Sequence, residues 1–134
     1  MITEDDRPKP PELVSLYAET PAAFRILKDE FQVPDTYELA LNHVDAAEQF
    51  LRSTVDIAAI TMRKIQALRW VAKPGVETTN DIVVTLAADL LRALDHLVPC
   101  CRDQTNADSL TEFKHHVALA ARRAGGDGGI ARLR

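Results

Sequence analysis

Glycine is almost missing from the body of this chain, since four of its five glycines fall within the last ten residues. Aromatic residues make up only 5% of the chain, and there are two cysteines. No apolar run approaches the roughly 18–20 residues needed to cross a bilayer. Each shortage excludes something. Scarce glycine, with no run of alternating branched residues longer than Ile82-Val83-Val84, argues against a sheet-rich fold with tight turns. Two adjacent cysteines, Cys100 and Cys101, do not make a disulfide framework and fit a reducing compartment. The opening MITEDDRPKPPE is acidic and proline-rich and lacks the basic-then-apolar pattern of a secretory signal. The expectation is a cytoplasmic protein with no membrane association.

What the chain does have is small aliphatic residues: it is 46% hydrophobic, chiefly Ala, Leu and Val. Such residues favour closely packed helices, so the fold class expected is all-α, in one domain. Residues 1–10 read as a disordered leader, 11–124 as a helical bundle, and 125–134 as a flexible basic tail. Pro10-Pro11 starts a short helix (about 11–18) with Leu13, Leu16 and Tyr17 on one face. Thr20-Pro21 reads as a second start, a cap hydroxyl followed by proline at the first helical position, for a helix over about 20–31 closed by Pro34.

Asp35-Thr36-Tyr37-Glu38 is a capping-box pattern opening the longest helical run, about 36–73, ended by Lys73-Pro74-Gly75. Tyr37, Leu41, Val44, Leu51, Val55, Ala58, Met62 and Ile65 mark one apolar stripe along it, and Leu39, Phe50, Ile57 and Leu68 another. Ser53-Thr54-Val55-Asp56 is an internal cap signal that would break this run. A second amphipathic helix, about 79–98, carries Ile82, Val83, Leu86, Leu90, Leu94 and Leu97 and stops at Pro99. Ser109 and Glu112 form another capping box for a helix over about 109–124, stopped by Gly125-Gly126. The short Lys73–Asn80 connection implies an antiparallel hairpin of the two main helices, covered by the shorter ones. Because the first is much longer than the second, its uncovered stripe also suggests a homodimer.

The densest chemistry is HLVPCCRDQTNADSLTEFKHH, residues 96–116, with three of the four histidines and both cysteines. Zinc takes three or four Cys or His ligands in a tetrahedron. His96, Cys100 and His116 are the set that could supply them. Neighbours on a helix point about 100° apart, so His115 and His116 do not share a metal. The alternative is a corner: Pro99 ends one helix, Asn106-Ala107-Asp108 turns, and Ser109 caps the next. That reading is preferred, and no cofactor is expected. No Gly-rich phosphate loop, GxSxG or HExxH is present.

Trp70, the sole tryptophan, stands beside Arg69 and Lys73, a composition typical of interface anchors. Its other reading is a ring capping the core. From Lys114 onward, Lys114, Arg122, Arg123, Arg132 and Arg134 face the single acid Asp127, in a chain whose net charge is −4. In this segment Ile130, Leu133 and the arginines suit an acidic protein surface or a polyanion. The function expected is a non-enzymatic helical protein–protein interaction module: an adaptor, regulator or assembly subunit that self-associates. Partner contacts are expected at Arg69, Trp70, Arg122, Arg123, Ile130, Arg132, Leu133 and Arg134. The alternatives are nucleic-acid association through the basic segment, and a metal- or histidine-dependent enzyme at His96, Cys100 and His116.

Overall fold

The computed structural model describes residues 11–33 and 53–132, with side chains described through 124. Within them lie four α-helices and no strand: α1 (Pro11–Phe31), α2 (Thr54–Ala72), α3 (Asn80–Leu97) and α4 (Gln104–Arg132). A short 3-10 helix, Val98–Cys100, follows α3. The helices pack into an all-α bundle in which α1 meets α2, α2 meets α3, α3 meets α4 and α4 returns to α1.

The pattern of burial explains why these segments pack. Leu13, Leu16, Thr20, Ala23, Leu27 and Phe31 are buried along α1, and Val83, Ala87, Leu90, Leu94 and Leu97 along α3. Their spacing alternates three and four residues, which keeps one stripe of each helix on the bundle axis. Ala58, Met62, Ile65, Leu68 and Ala72 do the same for α2, and Leu110, Phe113, Val117, Ala121 and Ala124 for α4. Helix direction follows from cross-helix pairs. Lys64 of α2 reaches Asp89 of α3 at 3.2 Å, while Ile57 and His96 line one groove, so these helices run oppositely. Arg69, late in α2, lies over the Tyr17 ring, early in α1, and Glu30, late in α1, binds the start of α4. Consequently α2 and α4 end at the same end of the bundle.

Three boundaries differ from the sequence expectation. The segments 11–18 and 20–31 are one helix, with Pro21 inside it. Proline has no N–H to donate to the carbonyl four residues back, here that of Tyr17. The buried Thr20 hydroxyl donates to that same carbonyl at 2.9 Å, so the helix carries on. The continuous 36–73 helix does not hold either. Ser53 is extended (φ −137°, ψ 161°), and its hydroxyl accepts from the Asp56 N–H at 3.1 Å, making it the N-cap of α2. Its expected first half, including the Asp35–Glu38 box, lies outside the described residues, as do the leader 1–10 and Leu133 and Arg134. The described α2 and α3, at 19 and 18 residues, are matched in length. The mismatch that suggested a dimer is therefore absent between them.

Finally, α4 starts at Gln104 rather than at Ser109 and runs past Gly125-Gly126 to Arg132. A glycine costs a helix about 1 kcal/mol relative to alanine without forbidding it. The expected 79–98 helix matches α3 closely. Thr79 caps it, accepting from the Ile82 N–H at 3.3 Å, and Pro99 enters the 3-10 turn that follows.

Candidate partner-binding surface

The cysteine–histidine corner comes first, because it carried the metal expectation. Among the described residues no group of three or more His, Cys, Asp and Glu side chains is placed to hold a metal ion. His96, Cys100 and His116 are thus not assembled into a centre. Each thiol is instead spent locally: Cys100 Sγ donates to the His96 carbonyl at 3.5 Å and Cys101 Sγ to the Leu97 carbonyl at 3.8 Å. Burial pushes the Cys101 thiol up to about 11, with the charge of Glu30 adding to the effect. A thiol so raised is protonated at neutral pH and is a poor nucleophile.

The group that organises the corner is Glu30, which the sequence reading did not single out. The residue is 9% exposed, and its carboxylate accepts from the Arg102 N–H at 2.8 Å, the Asp103 N–H at 3.2 Å and Asn106 Nδ2 at 2.7 Å. Hydrogen bonds from Asn106 and then the Arg102 amide hold its pKa below the ordinary carboxylate value, with burial opposing them. The Asp103 side chain caps the Thr105 N–H at 2.8 Å, which moves the helix start ahead of Ser109. The arrangement anchors a helix N-terminus, where a negative charge is favoured.

On the other side of the bundle, α1 and α2 expose a different surface. Trp70 is 61% exposed, so its ring does not cap the core. Lys73 Nζ sits 5.4 Å from the Trp70 ring centroid, and the Arg69 guanidinium 4.6 Å from that of Tyr17. Cations over aromatic faces are attracted by the ring quadrupole and hold the rings in place. Beside them a groove of about 500 Å³ runs between the helices, lined by Thr20, Pro21, Phe24, Arg25, Lys28, Ile65, Gln66 and Arg69. Of these only Arg69 is expected as a partner contact from the sequence. Phe24 is partly buried and packs against the core.

Two other grooves are less suited to a ligand. One, between α2 and α3, contains Lys64, Asp89, Arg92 and His96, but Asp89 already bridges both cations. Another, between α1 and α4, holds Glu19 and Glu112 and is much smaller, about 180 Å³. Arg122 and Arg123 are both exposed on α4, at the bundle end where α2 also finishes, and Arg123 is engaged within the chain. Ile130 and Arg132 lie on the last turns of α4. Arg69 and Trp70 are late on α2, so these and Arg122 and Arg123 lie toward one end of the bundle and not on one helix, while Leu133 and Arg134 lie outside the described residues. No described helix is long and apolar enough to cross a membrane.

Comparison with known protein families, curated proteins and solved structures finds no match to the chain.

Proposed function

We propose that this chain is a non-enzymatic helical interaction module that binds a protein partner through the α1–α2 face around Trp70. The observation that carries the reading is the 61% exposure of the only tryptophan, one helical turn past Gln66 of the α1–α2 groove. A fully buried tryptophan removes about 150–250 Å² from water, which makes an exposed one costly to leave uncovered and effective as an anchor. Val14, 48% exposed, extends the same apolar surface along α1 in line with Tyr17, Pro21 and Phe24.

The test compares capture of partners from the source cell by the wild-type chain and by Trp70→Ala. The substitution lies on the surface, so the helical circular-dichroism signal and melting temperature are expected to stay within error of wild type. A specific protein retained by wild type and lost by the variant supports the reading. Equal capture by both, or capture only of nucleic acid that salt removes, overturns it. Light scattering at tens of micromolar separates a second copy of this chain from a different protein as the partner.

A further inference from the structure

The shape and charge of the α1–α2 groove narrow the class of partner. Val14, Tyr17, Pro21 and Phe24 follow one another at spacings of three, four and three residues, a straight apolar line of about 15 Å along the α1 axis. Ile65 of α2 closes the groove from beneath, at 1% exposure, and Gln66 and Arg69 form the facing wall. A channel bounded by two helices, with its apolar residues in register along the axis, is filled by the i, i+3/i+4, i+7 side chains of a third helix. The rim is cationic: among the described residues Arg25, Lys28 and Arg69 line the groove and no acid does, and Lys73 lies over Trp70, which is one turn on from Gln66. Lys28 is itself engaged within the chain. This basic rim departs from a chain whose net charge is −4, and the α1–α4 groove carries the opposite sign at Glu19 and Glu112.

From this geometry we propose that the α1–α2 groove docks an acidic amphipathic helix of another protein. The helix's apolar stripe would lie on Tyr17, Pro21 and Phe24, its carboxylates facing Arg25 and Arg69, and Trp70 packing against its end. This rests on the interaction-module reading and specifies the partner's chemistry. Complementary charge steers the encounter and rejects helices with basic flanks, while the apolar stripe supplies affinity.

The experiment titrates the full chain into a fluorescein-labelled peptide of about 18 residues, long enough to form a helix, with Leu and Phe at i, i+3, i+4, i+7 and Glu between them. A shuffled peptide of the same composition lacks the stripe. Saturable binding of the striped peptide is expected, with the shuffled one weaker by at least about tenfold, a difference of about 1.4 kcal/mol. Trp70 emission is expected to shift to the blue on binding. Arg25→Glu, at an exposed position, is expected to weaken binding about tenfold or more, and Arg25→Lys to restore most of it.

Equal binding of the shuffled peptide, indifference to Arg25→Glu, or equal binding of a single-stranded oligonucleotide overturns the proposal. So does a dimer that Arg25→Glu dissociates, since the groove's occupant is then a second copy. An intrachain carbodiimide cross-link from Lys28 to Asp45 or Glu48 also overturns it, because the chain then fills its own groove. If the striped peptide fails while Trp70→Ala still loses a cellular partner, the module reading stands and only the acidic-helix assignment falls.

Discussion

Glu30 shows how one side chain decides a local structure that its own neighbours do not specify. It sits late in α1, yet it receives two amide N–H groups and an amide side chain from the start of α4. Hydrogen bonds to a charged acceptor contribute more than neutral ones, so Glu30→Gln is expected to cost about 1–3 kcal/mol. The pH dependence follows from the direction of the shift. The folded carboxyl is held below its ordinary value of 4.5, so its contribution is fully present above that pH and is lost as pH falls through the depressed folded value. Urea unfolding of wild type and Glu30→Gln at pH 7, 5, 4 and 3 checks this. The stability gap is expected to be constant down to about pH 5 and to narrow below it. A gap that stays level to pH 3 contradicts the assignment.

At the scale of helices, local signals were legible where cap, period and stop agreed, and misleading where a distant group or an ambiguous dipeptide intervened. Thr79, the leucine spacing and Pro99 all point to one helix, and α3 matches the expectation. Thr20-Pro21 reads equally well as a helix start and as a helix interior. What decides it is the Thr20 hydroxyl on the Tyr17 carbonyl together with burial of both flanking turns, neither visible in the dipeptide. The Ser109–Glu112 box is a local signal overridden by the Asp103 cap on Thr105 together with Glu30, 72 residues from Arg102. Trp70 and Arg69 were legible as candidate contacts from composition, but the groove was not. It exists only because α1 and α2 lie side by side, bringing Arg25 within reach of Arg69 across a cleft.

The Thr20–Pro21 pair gives a helix-scale prediction. Thr20→Val removes the donor and leaves the part-buried Tyr17 carbonyl without it, and is expected to cost about 1 kcal/mol. Pro21→Ala restores a backbone donor to that carbonyl, so in the Pro21→Ala background the same Thr20→Val change is expected to cost clearly less. The difference, read from a double-mutant cycle of chemical denaturation, is expected to approach about 1 kcal/mol. Strict additivity removes this explanation of the continuous α1.

For the whole molecule, the contacts of α2 with α3 and of α3 with α4 join described helices linked by short connections, while that of α4 with α1 joins the first described helix to the last. Neighbouring antiparallel helices close short loops and form early, whereas a contact spanning most of the chain carries a larger closure entropy. The bonds from Glu30 to α4 belong to that last contact. Their loss is therefore expected to appear mainly in the unfolding arm of a chevron plot, with unfolding of Glu30→Gln faster by about tenfold and refolding nearly unchanged. An equal slowing of refolding would place the seam in the folding nucleus instead. The carboxylate that ties down the start of α4 thus also acts as a kinetic latch, governing how long the native bundle lasts more than how fast it is made.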